Sequence, residues 1–323
     1  MPLVVDKISK RFGNKWALRD VSFAVEDGSV IGLFGPSGSG KSALLKTIAG
    51  AVKPNGGTIS LNDVDITATK AIERGTLLHS GHQAAGFKQL FRPFGGDGSS
   101  GEVQFDRFEN VFKGPARVFL LDEPFCDMDT AQRAICFAAI RKAAKARDRI
   151  VIFASSDFDQ ITGLTDEVAF LSGGSIIQSG TPQEIYDEPV SVAAAQMTGD
   201  NNLIVARRVS STDAELPEFH TIDSGHRLFA QSTAKARLGS INQNITLAIR
   251  PEQVSMSMGA SFPEDNLLKG KVTNIRFRGP TSIIEFDAGG LKLETRVFKV
   301  VGLNIGDECM LGLPPHRILI LKD

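Results

Sequence analysis

The chain has 323 residues, of which 42% are hydrophobic and 23% charged, with a formal net charge of −1. That length accommodates two domains, and the composition is that of an ordinary soluble globular protein. The near-neutral balance excludes a bulk field that would hold nucleic acid or an anionic membrane. Three cysteines, Cys126, Cys136 and Cys309, are odd in number and show no ligand spacing. They argue for a reducing compartment and against a disulfide framework or a zinc site. No charged-then-apolar leader pattern opens the chain. No uncharged apolar run reaches the roughly 18 residues that span a bilayer, so any membrane role is expected to be peripheral.

In chain order, Leu3 to Val5 is a short apolar run that reads as a strand. Val21, Phe23 and Val25 alternate with smaller residues, again as in a strand, and Asp27-Gly28 marks the turn after them. Ser29 to Phe34 is an apolar run, and Ser42 to Gly50 follows with helical spacing of Ala43, Leu44, Leu45, Ile48 and Ala49. Val118 to Asp122 is an apolar strand ending in carboxylates. Asp129 or Thr130 is placed to cap a helix over Ala131 to Lys145. Ile150 to Ala154 is apolar throughout, as in a buried parallel strand, and Glu167 to Ser179 reads as a hairpin around Gly173-Gly174. The composition changes near Gly199. Beyond it, short strands alternate with turn signals: Leu291, Leu293 and Val297 alternate with Lys292, Glu294 and Arg296 after the turn Asp287-Ala288-Gly289-Gly290. The expected architecture is therefore an α/β P-loop NTPase domain over residues 1–200, a mixed sheet with helices. A small all-β domain of barrel or sandwich type is expected over 201–323.

Two motifs carry the chemistry. Gly35-Pro36-Ser37-Gly38-Ser39-Gly40-Lys41-Ser42 lies between an apolar run and a helix, the context in which a glycine-rich loop turns its backbone N–H groups toward phosphates. Lys41 is expected to reach the outer phosphates and Ser42 to ligate Mg²⁺ through its hydroxyl. Asp122 is expected to hold the same metal, directly or through water. Glu123 is the candidate to orient or deprotonate an attacking water.

With these motifs the sequence resembles the nucleotide-binding subunits of ABC transporters, and specifically those of bacterial importers. The resemblance runs through Lys10-Arg11-Phe12-Gly13, Leu18-Arg19-Asp20-Val21-Ser22-Phe23, the P-loop, Leu44 to Gly50, Pro54-Asn55-Gly56-Gly57, Leu121 to Phe125, Asp129, and Gly180 to Tyr186 with Pro189 beyond. In the second part Ala248-Ile249-Arg250-Pro251-Glu252, Gly270-Lys271-Val272 and Leu313 to Ile318 look like the TOBE domain of importers for oxoanions, ferric iron or polyamines. The resemblance implies ATP and Mg²⁺ as ligands and a head-to-tail dimer, of two copies or with a paralogue. It also implies an integral-membrane permease as partner, no nucleic acid, and a cytoplasmic position on the inner face of the membrane. By the same resemblance Phe12 stacks on adenine, although a core phenylalanine is the alternative. Gln83 senses metal and water, with a surface polar residue as the alternative and Gln89 as a rival. Asp129 contacts the opposite subunit.

Three departures from the family pattern stand out. The stretch Leu171-Ser172-Gly173-Gly174 mimics the family's signature but falls after the carboxylates, where a hairpin turn belongs. The proper place is Gly98-Ser99-Ser100-Gly101-Glu102. There Ser99 and Gly101 are expected to face a γ-phosphate, with a plain Gly/Ser loop as the alternative. The Lys41-to-Asp122 interval is shorter than in the family, which puts the helical subdomain and its permease-docking surface in doubt. Ser156 stands where the family has its switch histidine, and losing one preorganised transition-state donor costs on the order of 10²–10³ in rate. His79 and His82 read as ordinary loop residues near Gln83. Two functions follow: an importer ATPase with slow or partner-dependent turnover, or a non-transporting relative that uses ATP as a switch or structural ligand. A P-loop kinase or GTPase explains neither the β domain nor Gly180–Tyr186.

Overall fold

The computed structural model describes residues 2–81, 108, 111–146, 149–209, 216–231, 240–259 and 266–321. Within it the chain forms two compact units, Met1–Ile185 and Tyr186–Asp323.

The first unit holds two sheets. β1 (Leu3–Phe12), β2 (Lys15–Val25), β4 (Gly56–Leu61) and β5 (Val64–Asp65) form an antiparallel sheet in the order β2-β1-β4-β5. β3 (Val30–Phe34), β6 (Thr76–Ser80), β7 (Val118–Asp122), β8 (Ile150–Ser155), β9 (Glu167–Ser172) and β10 (Ser175–Gly180) form the second, in the order β10-β9-β3-β8-β7-β6. All its pairings are parallel except β9–β10. Every residue of β3, β7 and β8 is buried, as a strand covered on both faces requires. The two faces differ chemically. Ile31, Leu33, Leu120, Ile152 and Ala169 join one aliphatic core with Leu44, Leu45 and Ile48 of helix α1 (Lys41–Ile48) and with Leu3, Val5 and Val21 of the antiparallel sheet. On the alternate positions Phe34 packs against Phe170 and Phe158 at 4.8 and 5.1 Å between ring centroids, and Phe153 against Phe125 at 5.4 Å. Helices α2 (Thr130–Ala146) and α3 (Phe158–Leu164) follow β7 and β8.

The parallel register aligns the carboxyl ends of the strands. Phe34 pairs with Ser155, Ala154 with Asp122, and Asp122 with Ser80. Ligands bind outside the carboxyl ends of such sheets, and that edge is where the motifs meet.

The first unit ends between Ile185 and Tyr186, inside helix α4 (Pro182–Asp187). Helix α5 (Val192–Thr198) belongs to the second unit because Ala195 packs with Ala248 and Leu321, and the Arg250 guanidinium donates to Thr198 Oγ1 at 2.8 Å. His79 is no loop residue. It lies in β6, edge-to-face with Phe108 at 5.8 Å, because Thr76–Ser80 pairs in parallel with Val118–Asp122. His82 lies outside the described residues.

The second unit takes the two-sheet form of the expected all-β domain. β11 (Asn202–Arg208), β12 (Glu218–Thr221), β13 (Arg227–Phe229), β14 (Asn244–Ile249) and β20 (Leu319–Leu321) make one antiparallel sheet. β15 (Ser255–Ser257), β16 (Asn266–Phe277), β17 (Ser282–Ala288), β18 (Leu291–Val297) and β19 (Glu308–Leu313) make the other. Ile204, Phe219 and Leu247 from the first sheet share a core with Val272, Phe286, Leu293 and Leu311 from the second.

Candidate active site

The P-loop leaves β3 and winds into α1 with no side-chain cap; Gly40 takes that position at φ 112°. The position admits no side chain, since a Cβ there would lie 2.5 Å from the Ala17 carbonyl oxygen. At Gly35 a Cβ would meet the Leu171 carbonyl oxygen at 2.0 Å. The signature look-alike is thus the β9–β10 hairpin, and it buttresses this loop. Gly174 donates its N–H to the Ser39 carbonyl at 3.0 Å, and its own carbonyl accepts from Arg19 at 2.8 Å.

Lys41 is the first residue of α1, and its side chain is only 6% exposed. Its ammonium donates to the carbonyls of Gly35 at 2.6 Å and Pro36 at 3.1 Å, and lies 3.7 Å from Glu123 Oε1. Burial pushes its pKa down, while the charges of Glu123 and Asp122 pull it back up. One turn position on, the Ser42 hydroxyl donates to Asp122 Oδ1 at 3.1 Å. Asp122 is on the aliphatic side of β7, the side that faces α1, which brings a residue 80 positions away onto the helix start.

Glu123 follows with φ 45°, in the left-handed region. For a residue with a Cβ this costs about 1–2 kcal/mol, and such strain collects at functional sites. Three contacts hold it: its N–H donates to the Ala154 carbonyl at 3.0 Å, Lys41 faces one carboxylate oxygen, and the buried Ser155 hydroxyl donates to Oε2 at 3.3 Å. Ser155 is itself fixed by accepting from the Asp157 N–H at 3.1 Å.

A cavity of about 650 Å³ opens here. Ser37, Gly38, Gly40, Lys41, Ser42, Glu123 and Ser156 line it, together with the aromatic rim Phe12 and Trp16. Phe12 is 51% exposed and so is no core phenylalanine. Asp129 is not at the cavity. It is exposed and caps α2: its carboxylate accepts from the Gln132 N–H at 2.8 Å while Gln132 Oε1 accepts from the Asp129 N–H at 3.2 Å. Gln83, Gln89, Ser99 and Gly101 lie outside the described residues. The described chain runs to Gly81, whose N–H donates to the Asp122 carbonyl at 3.0 Å, so it leaves β6 beside the carboxylates. Sequence reading missed Trp16, Lys15, Cys126 and Ser155. The signal for Trp16 was available, since it is the chain's one tryptophan and stands four positions after Phe12.

The donor set fits a hard divalent cation. A hydroxyl and a carboxylate share one hydrogen bond, and such a pair with substrate phosphates and waters suits Mg²⁺. Among the described residues no group of three or more His, Cys, Asp or Glu converges into a closed metal cage.

The family model for ABC transporter matches residues 18–92, and that for the TOBE domain matches 247–321. The chain is 27% identical to the Fe(3+) ions import ATP-binding protein FbpC 3 of Rhodococcus jostii, with 94% of each chain covered. It is 26% identical to the sulfate/thiosulfate import ATP-binding protein CysA 2 of Shewanella oneidensis, with 96% of each covered. Among solved structures, a nucleotide-free ATP-binding cassette from an ABC transporter matches 56% of this chain and 92% of its own, at 19% identity and a TM-score of 0.43. With the glycine-rich loop in its first part and the TOBE match in its second, the chain is similar in both parts to the ATP-binding proteins of ABC transporters that carry a C-terminal TOBE domain.

Proposed function

We propose that the chain is the ATP-hydrolysing subunit of an importer, working as a dimer on a membrane permease. The observation that carries this is the convergence of Lys41, Ser42 and Glu123 on one cavity with an aromatic rim, with Asp122 hydrogen-bonded behind Ser42. Import follows the names of relatives that align over nearly the full chain. Among the described residues no helix is long and apolar enough to cross a membrane, so the path for solute belongs to a partner.

The P-loop N–H groups and Lys41 bind the triphosphate, whose oxygens displace the Gly35 and Pro36 carbonyls from the ammonium. Ser42 and Asp122 hold Mg²⁺, which when bound neutralises charge on the outer phosphates. As the phosphate draws Lys41 away, the Glu123 carboxylate is released to orient and deprotonate water, with Ser155 keeping its second oxygen aimed. Ser156 lines the cavity at the switch position, and its hydroxyl is too short to bridge as an imidazole does. Turnover is therefore slow. The exposed Asp129 faces the opposite subunit, either a second copy or a paralogue that supplies the missing donor.

The test is steady-state ATP hydrolysis. Glu123→Gln is expected to bind ATP normally and lose at least about 100-fold in rate. Ser156→His is expected to gain up to about 10²–10³-fold, and chelation of divalent ions to stop turnover. Normal binding with no turnover in any variant would point instead to ATP as a switch ligand.

A further inference from the structure

We propose that Arg74 is a positioning residue for phosphate binding: it clamps the C-terminal end of α1 to the antiparallel sheet and so sets where the N-terminal end, with Lys41 and Ser42, points. The inference rests on the nucleotide reading above and adds to it a residue that does not line the cavity.

Arg74 follows the short turn Ala71–Glu73, just before β6, and is 4% exposed. A guanidinium buried this far is costly unless its donors are met. Four hydrogen bonds meet them, and the acceptors are all main-chain carbonyls. Nη1 donates to Thr47 at 3.0 Å and to Ile48 at 2.9 Å. Nε donates to Thr69 at 2.9 Å, and Nη2 to Thr67 at 2.6 Å. Thr47 and Ile48 lie in the last turn of α1, where the helix leaves its carbonyls without intrahelical partners and a cation complements its dipole. Thr67 and Thr69 lie in the loop after β5, and that loop is fixed to the sheet. The Thr67 N–H donates to Asp65 Oδ1 at 2.7 Å, and Thr67 Oγ1 accepts from the Ile59 N–H of β4 at 2.7 Å. Ile59 in turn pairs with Val5 of β1. One rigid fork therefore joins the phosphate-loop helix to the sheet that ends at Phe12. Gly50 makes room for it, since a Cβ there would lie 2.6 Å from Arg74 Nε.

The clamp matters because α1 is short. Its eight residues make a rod of about 12 Å, which is marginal as a helix by itself. Its direction depends on its buried face and on what holds its two ends. At the N-terminal end Gly40 closely approaches the Ala17 carbonyl; at the other end the fork of Arg74 takes hold. A shift there swings the N–H groups of the first turn and Lys41 off the phosphates, and a displacement of about 1 Å costs up to about 100-fold.

The experiment compares the full chain with Arg74→Ala, Arg74→Lys and Gly50→Ala, the last of which displaces the guanidinium without removing it. Thermal melts show which variants fold. Binding of ATP and, separately, of inorganic tripolyphosphate is then read by isotope, with Mg²⁺, well below the lowest melt. Arg74→Lys keeps the charge, but an ammonium is a point donor that cannot serve both pairs of carbonyls, so it tests the geometry if Arg74→Ala does not fold. Each folded variant is expected to bind ATP and tripolyphosphate about 10- to 100-fold more weakly, by the same factor for both ligands. Folded variants that melt lower yet bind both ligands as the parent does would make Arg74 a structural residue only and overturn the proposal, leaving the nucleotide reading intact. A loss confined to ATP, with tripolyphosphate held as in the parent, would place the effect at the cavity rim and overturn it too. Failure of the parent to bind ATP overturns both readings.

Discussion

Glu123 and Tyr186 show how a single side chain is tuned by what surrounds it. Glu123 is held in a left-handed conformation by Ala154, Lys41 and Ser155. Tyr186, in the second unit, lies under the Arg250 guanidinium at 3.8 Å and donates to Glu252. Burial first, then the Glu252 hydrogen bond and charge, pushes its phenol up to about 12 from 10.0, against the opposing pull of Arg250 and Arg296. It is the only tyrosine, so an absorbance titration of tyrosinate reads it directly. The expected transition is near pH 12 in the folded chain and near 10 once unfolded. A phenol that holds its proton more tightly when folded contributes stability that is complete below pH 10 and is lost as pH rises to about 12. Tyr186→Phe should flatten that alkaline loss. A transition near 10 in the native protein would contradict the buried geometry. From sequence, Lys41, Ser42, Asp122 and Glu123 were legible because their chemistry is encoded in adjacent residues. Ser155 was not, because its contact with Glu123 depends on strands brought together by register.

At the scale of elements, the P-loop and the caps depend on close backbone approach. Gly40→Ala forces a Cβ against the Ala17 carbonyl at 2.5 Å in a left-handed position. It is expected to destabilise the first unit by about 1–3 kcal/mol and to abolish ATP binding, read by denaturant melts and isotope binding. The reciprocal Asp129–Gln132 hydrogen bonds form a capping box on α2. Asp129→Ala should cost about 1 kcal/mol in a thermal melt, whereas Asp129→Asn should keep most of the cap. If Asp129 also meets a partner subunit, Asp129→Asn will weaken dimerisation while stability holds. The buried strands were readable as unbroken apolar runs, because a strand covered on both faces has no polar positions. β1 was seen only at Leu3–Val5. Its continuation through Lys7, Lys10 and Arg11 is polar on the outer face, with Lys7 at φ 48° where the pairing register shifts. β6 escaped notice because Thr76 to Ser80 is short and ends in His79-Ser80.

For the whole molecule, each unit has its own hydrophobic core, and the candidate ligand site belongs wholly to the first. A ligand that binds only the native state raises stability by about 2.7 kcal/mol at 100 times its dissociation constant. ATP with Mg²⁺ should therefore raise the melting of the first unit, followed by calorimetry, and leave the second where it was. An upward shift of both together would show that the two cores unfold as one. In the second unit Arg250 is 2% exposed and donates to the Tyr186 carbonyl at 2.6 Å as well as to Thr198, which is why the division falls at Ile185. The amino-acid order alone determined the nucleotide chemistry, the parallel core and the all-β second part, because these rest on adjacent residues and local hydrophobic period. Only the tertiary structure decided what holds Glu123 and that the false signature braces the P-loop. Each of those depends on strand register and on backbone approach between residues far apart in the chain, which no local pattern encodes.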